Sequence, residues 1–79
     1  MADELLIGVT MLSFEIVQSG KAIQICADED GLLLLRNALE RVTTAGHIHL
    51  LSSANGGNEL NDANPWGQAA IGEVIISTV

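Results

Sequence analysis

Apolar and polar residues alternate in two early segments of the chain, with the two-residue period of half-buried strands. In the first segment, 11–17, the apolar positions on one side are Leu12, Phe14 and Ile16. The turn signal Ser19-Gly20-Lys21 follows, and alternation resumes over 22–27 with Ile23 and Ile25 on one side. The two segments predict an antiparallel hairpin.

A helix is predicted to follow the hairpin. Asp28, Glu29 and Asp30 precede an apolar periodic run, and acidic residues there cap free N–H groups and complement the helix dipole. The predicted core-facing stripe consists of Leu32, Leu35, Leu39 and Val42, with Ala38 between them. Gly46 suits the left-handed conformation that often ends a helix.

Two more strands are predicted after the helix. The segment 47–51 alternates, with Ile48 and Leu50 on the side opposite His47 and His49. In the last strand, 70–79, the residues predicted to face the helix are Val74 and Ile76.

The order strand, strand, helix, strand, strand predicts a single α+β domain over residues 1–79, with a mainly antiparallel four-stranded sheet and one helix packed on one face. The opposite sheet face is then open, either to water, as is common for antiparallel sheets, or to a partner. Its predicted residues are Met11, Ser13, Glu15, Val17, Gln24, Cys26, His47, His49, Leu51, Glu73, Ile75 and Ser77.

The chain is rich in apolar residues for its size. Of its 79 residues 48% are hydrophobic, and the mean hydropathy is +0.37. A domain this small buries only about 60% of the surface that its unfolded chain exposes. We therefore expect part of the apolar surface to face a partner or a second copy, which makes a homodimer one alternative.

Apolar runs are too short to predict a membrane span. The longest, Leu5–Val9 and Leu32–Leu35, fall well below the roughly 18 apolar residues needed. Leu5–Val9 is predicted either to extend the first strand or to form a short strand before it. Asp3 and Glu4 stand where a secretory signal carries basic residues, so we expect a cytoplasmic protein.

The charge balance is strongly acidic, with ten acidic residues, three basic residues and a net charge of −7. Lys21, Arg36 and Arg41 are the basic residues, and none follows Val42. Nucleic acids and anionic membranes require clustered positive charge, so neither is a predicted partner. A basic protein surface is the natural complement, although acidity also simply keeps an apolar chain soluble.

Two histidines and one cysteine are the residues best suited to chemistry. His47 and His49 lie two apart on a strand and project from one face, where Cys26, Glu15 or Glu73 would have to complete a metal site. Cys26 with a histidine would also make a thiolate and base pair. A lone strand cysteine usually acts as a small apolar residue, so we predict no enzyme, metal or cofactor and keep a small metal or thiol enzyme as an alternative.

The connection 52–68 contains the only proline and the only tryptophan. A structureless segment of this length is uncommon in a small domain and is usually functional or mobile. Trp66, with Glu59 and Asp62 upstream, is typical of an interface anchor beside acidic contacts. The alternative is that Trp66 folds back as a lid on the core. We predict partner-binding residues at Trp66, His47, His49, Glu59 and Asp62.

Three short motifs resemble the Imm32 family of small bacterial immunity proteins: Gly31-Leu32 opening the helix, Gly46-His47-Ile48-His49-Leu50 opening a strand, and the closing Glu73-Val74-Ile75-Ile76. The resemblance covers most of the chain from Ile23 onward. It implies a protein that binds and neutralises a toxin encoded nearby, without catalysis. A homodimeric structural module remains the main alternative.

Overall fold

Strands β1 (Leu12–Val17) and β2 (Ala22–Ala27) form the predicted hairpin in a computed structural model that describes residues 10–79. They pair antiparallel, with Phe14 opposite Ile25 and Ile16 opposite Ile23. The turn between them holds Gln18, Ser19 and Gly20 at positive φ. The predicted strand Leu5–Val9 lies outside the described residues.

Helix α1 (Glu29–Ala45) begins and ends as predicted. The Asp28 carboxylate accepts a 2.7 Å hydrogen bond from the Gly31 N–H, which satisfies one of the free donors of the first turn. At the other end Gly46 has a φ of 87° and its N–H donates to the Val42 carbonyl. A residue with a Cβ would be strained at that φ.

The helix packs on the core through only part of the predicted stripe: Leu35, Ala38 and Val42 face the core as predicted. Its buried residues are Gly31, Ala38 and Val42, and Leu34 and Leu35 pack against the core beside them. Leu32 and Leu39 are 56% and 49% exposed, so the prediction that they face the core is wrong. The helix approaches the hairpin through its smallest residues, which turns these two leucines outward.

Gly31 is the point of closest approach. A Cβ added there would overlap the backbone carbonyl of Met11 and crowd the Cβ of Ala27. We expect Gly31→Ala to destabilise the fold by about 1–2 kcal/mol, because overpacking costs about 1–3 kcal/mol and outweighs a helix-propensity gain of about 1 kcal/mol. Urea unfolding measures this, with exposed Asn37→Ala as the control. A more stable Gly31→Ala protein would contradict the packing.

Strands β3 (His47–Leu51) and β4 (Glu73–Ser77) form a second antiparallel pair. Leu50 lies opposite Val74 and His49 opposite Ile75. As predicted, the inward residues pack in or against the core; they are Ile48, Leu50, Val74 and Ile76. Strand β4 is shorter than the predicted 70–79.

The strands form two two-stranded sheets, and this differs from the predicted single sheet of four. The long connection takes the outer edge of β1. The Asn61 N–H donates to the Leu12 carbonyl at 2.8 Å, the Leu12 N–H donates to Asn61 Oδ1 at 2.7 Å, and the Ile71 N–H donates to the Phe14 carbonyl at 2.8 Å. Neither β3 nor β4 is therefore paired with β1.

Both sides of β1 are covered at its start. The core cluster consists of Leu12, Phe14, Ala38, Leu50 and Leu60. On the other side of the strand, Ser13 is fully buried and Glu15 is 5% exposed. The prediction of an open face is therefore wrong at these two residues. On the β3–β4 sheet the predicted face is exposed at His47, His49 and Ile75. Within residues 10–79 no helix has the length and hydropathy of a membrane span.

Candidate functional site

The connection between β3 and β4 is ordered by its own hydrogen bonds. It opens with a 3₁₀ turn, Ser53–Asn55. The Ser52 N–H donates to the Gly72 carbonyl at 2.9 Å, and the Leu60 N–H donates to the Leu51 carbonyl at 3.1 Å. The segment 52–68, in which no helix or strand was predicted, is thus part of a folded connection, which we call the long loop (residues 52–72).

Glu59 and Leu60 attach the first half of the long loop to β3. Glu59 Oε1 accepts a 3.0 Å hydrogen bond from the Leu51 N–H. Leu60 is 5% exposed and belongs to the core cluster. Gly57 allows this close approach, because a Cβ there would overlap the Cβ and carbonyl of Leu51.

Asp62 holds the 3₁₀ turn. Its Oδ2 accepts a 2.6 Å hydrogen bond from the Ser53 hydroxyl, and its Oδ1 accepts a longer one, 3.4 Å, from the Ala54 N–H. These donors, Ser53 first, hold the pKa of the Asp62 carboxyl below its usual value. The charged form of Asp62 therefore stabilises the loop.

We expect the stability contributed by Asp62 to depend on pH. The folded-state pKa is lower than the unfolded one, so the contribution is complete above the unfolded pKa of about 4 and disappears as pH falls through the folded value. In thermal melts the wild type should have a higher melting temperature than Asp62→Asn near neutral pH. The two melting temperatures should converge in acid. Ser53→Ala should remove most of the same pH-dependent difference. A difference that stays constant into acid would contradict this role.

The second half of the long loop turns back on itself around Trp66. Asn64 Oδ1 accepts hydrogen bonds from the Trp66 N–H at 3.0 Å and the Gln68 N–H at 2.9 Å. The Asn64 N–H donates to the Gln68 carbonyl at 2.8 Å, and Ala63 bridges to Ala69. Gly67 completes this turn at a φ of 83°. We call residues 63–69 the Trp66 turn.

Trp66 projects from this turn into solvent. Trp66 is 67% exposed, whereas Asn64, which accepts a hydrogen bond from its backbone, is only 5% exposed. The interpretation of Trp66 as a lid on the core is therefore wrong. The turn fixes the backbone of a large aromatic residue without using its ring in the fold.

The outer side of the β3–β4 sheet carries the two histidines. His49 Nδ1 lies 2.7 Å from Glu73 Oε2, and since a carboxylate only accepts, the ring donates from Nδ1. His47 packs edge-on against His49, with ring centroids 5.3 Å apart. We call this surface the histidine face; its residues are His47, His49, Glu73, Ile75 and Ser77.

Cys26 is hydrogen-bonded to a carboxylate rather than to an imidazole. Its thiol donates to Glu15 Oε1 at 3.6 Å, on the hairpin, whereas the histidines lie in the other sheet. Partial burial and the Glu15 carboxylate raise the pKa of the Cys26 thiol, which disfavours the nucleophilic thiolate. Across residues 10–79 no three His, Cys, Asp or Glu side chains gather as a metal site would require.

The predicted site residues thus fall into separate groups. His47 and His49 share one face, and Trp66 stands on its own turn. Glu59 and Asp62 hydrogen-bond within the long loop. Sequence reasoning missed Asn64, although an Asn-Pro dipeptide followed by Gly67 is a turn signal.

Comparison of the chain with family models, curated protein sequences and solved structures gave no match. The resemblance to the Imm32 family therefore stays a prediction. The Trp66 turn and the histidine face are the two surfaces suited to binding.

Proposed function

We propose that the protein is a non-catalytic binding domain of the immunity type, which neutralises a cognate bacterial toxin in the cytoplasm by covering part of its surface. The observation that carries the proposal is the 67% exposure of Trp66 on a turn whose backbone is fixed by Asn64. A function of this kind requires complementarity between surfaces and no reacting group.

Trp66 has the properties of an interface anchor. Tryptophan is enriched among the few residues that supply most of the binding energy of an interface, and its ring can bury about 150–250 Å². Because the Trp66 turn is already hydrogen-bonded, binding need not order its backbone. Preorganisation of this kind favours affinity by lowering the entropy lost on association.

The charge of the chain selects the kind of partner. The net charge is −7, and no lysine or arginine follows Arg41, so the long loop and the histidine face belong to a half of the chain without fixed cations. A basic toxin surface complements that field. Asp62 is exposed while it bonds to Ser53. Its charge therefore attracts a basic partner while its side chain keeps its hydrogen bond within the loop.

The histidine face is the second proposed contact region. His47 and His49 are exposed, and Ile75 beside them is 57% exposed. An exposed apolar residue flanked by polar side chains suits contact with a protein surface. The bond from His49 to Glu73 fixes the orientation of one ring.

The test begins with the gene next to the one encoding this chain. If it encodes a toxin domain, we expect the two purified proteins to form a stoichiometric complex that inhibits the toxin. Affinity should fall as salt concentration rises, because the attraction is between opposite charges. A neighbouring toxin that neither binds nor is inhibited, or a neighbour that is a metabolic enzyme with no binding, would defeat the proposal.

A further inference from the structure

The far end of the β1–β2 hairpin exposes three isoleucines on one side. Ile16, Ile23 and Ile25 are 63%, 65% and 49% exposed, and Ile16 lies directly opposite Ile23. They continue the side of the sheet on which Phe14 is buried, since residues two apart on a strand share a face. An apolar surface of this kind on a regular strand usually has a partner.

The backbone of β2 offers that partner a row of hydrogen-bonding groups. In β1, the Leu12 N–H and carbonyl and the Phe14 carbonyl bond outward to the long loop. In an antiparallel pair such outward-facing residues alternate with those bonded to the neighbouring strand. Leu12 and Phe14 of β1 lie opposite Ala27 and Ile25 of β2. The N–H and carbonyl groups of Ile23, Ile25 and Ala27 therefore point to the outer edge of β2.

The residues of β2 include none of the charges, prolines or bulges that usually protect an edge strand against pairing. The strand reads Ala-Ile-Gln-Ile-Cys-Ala. Its register with β1 is unbroken from Ala22 to Ala27. Among residues 10–79 no strand pairs with the outer edge of β2.

We propose that the occupant of this edge is a second copy of the chain, which pairs antiparallel with β2 about a twofold axis at Gln24. This register sets Ile23 of each copy opposite Ile25 of the other, so that their outward backbone groups bond reciprocally. It also brings Lys21, at one end of β2, beside Asp28 of the second copy at the other end. Because β2 is uncharged and lies between Lys21 and Asp28, these opposite charges meet across the interface only when the two copies pair antiparallel.

The resulting dimer has one continuous sheet of four strands, β1-β2-β2-β1, with the isoleucines of both copies on one face. Neither the Trp66 turn nor the histidine face includes a residue of the pairing strand β2. Each chain carries a charge of −7, so salt should strengthen the dimer by screening repulsion. The opposite salt dependence expected for the toxin complex separates the two associations.

The first experiment measures the mass of the full chain in solution by light scattering over a range of concentrations. We expect twice the 8.3 kDa of the monomer. Ile23→Lys should raise the dimer dissociation constant at least tenfold, because it places a charge on the pairing edge. Ile16→Lys is the matched control, with nearly equal exposure and the same change in charge but a position on β1, and it should remain dimeric.

The second experiment locates the twofold axis. In the proposed register Gln24 faces Gln24 of the second copy as a non-hydrogen-bonded pair. The Cα atoms of such a pair lie about 4.5 Å apart, within disulfide range. In a Cys26→Ser background, Gln24→Cys should form a disulfide-linked dimer under mild oxidation, and Ser19→Cys in the turn should not. A monomer at every concentration, equal effects of the two lysine variants, or no faster linking at position 24 than at position 19 would each overturn the proposal.

Discussion

Trp66→Ala is expected to weaken partner binding at least about 30-fold and to leave the melting temperature nearly unchanged. Loss of an anchoring tryptophan typically costs 2 kcal/mol or more of binding free energy, which corresponds to about 30-fold in the dissociation constant. The fold should not respond, because the ring is 67% exposed and the hydrogen bond from residue 66 is made by its backbone. Calorimetric titration with the partner and a thermal melt measure the two effects.

Asn64→Ala is the matched control for this prediction. It keeps the Trp66 ring but removes the oxygen that accepts from the N–H groups of Trp66 and Gln68. Binding should therefore weaken less than in Trp66→Ala, because the anchor remains while its turn loses order. A Trp66→Ala protein that melts several degrees lower and still binds normally would show that the ring supports the fold instead.

Leu60→Ala is expected to lower the free energy of unfolding by about 2–5 kcal/mol, the usual range for a buried leucine. Leu60 is 5% exposed in the core cluster with Leu12 and Leu50, although it lies in the long loop. A small domain has only about 5–15 kcal/mol of stability in total. A loss of this size would show that the long loop is an integral part of the core.

Leu32→Ala gives the control for Leu60→Ala because the chemical change is the same. Leu32 lies in the helix but is 56% exposed, so we expect a change within about 0.5 kcal/mol. Urea unfolding of the two variants ranks the residues directly. A larger loss of unfolding free energy from Leu32→Ala than from Leu60→Ala would contradict both the outward orientation of Leu32 and the burial of Leu60.

The sequence predicts the regular elements of this fold well. Strand alternation located β1, β2 and β3, and the Asp28 cap and Gly46 located the ends of α1. Alternation also assigned Leu50 and Val74 to the core correctly. In each case the signal is local, because it depends on residues within one turn or one strand.

The errors arise where neighbouring residues offer equivalent choices. Four consecutive leucines, Leu32–Leu35, fit more than one helical stripe, and the pattern does not reveal that Gly31 lies against the Met11 carbonyl. The sheet prediction differed because unpaired strand edges do not reveal their partner in sequence. Here Asn61 and Ile71 satisfy the edge of β1 from within the loop.

The candidate site was predicted in part. Composition singled out Trp66, and strand period placed His47 and His49 on one face, as the structure does. Glu59 and Asp62 were predicted as partner contacts from their charge, but in the structure they accept hydrogen bonds inside the loop. Charge alone does not distinguish an acid that holds a loop from one that meets a partner, so their contact with a partner stays a prediction.

The fluorescence of Trp66 tests the central claim most directly, because it is the only tryptophan in the chain. We expect the folded protein to emit close to the wavelength of its urea-unfolded form, with strong quenching by acrylamide, and to shift to shorter wavelength when the partner is added. Emission from the free folded protein that is already shifted well to shorter wavelength and protected from quenching would contradict a preformed, exposed binding residue.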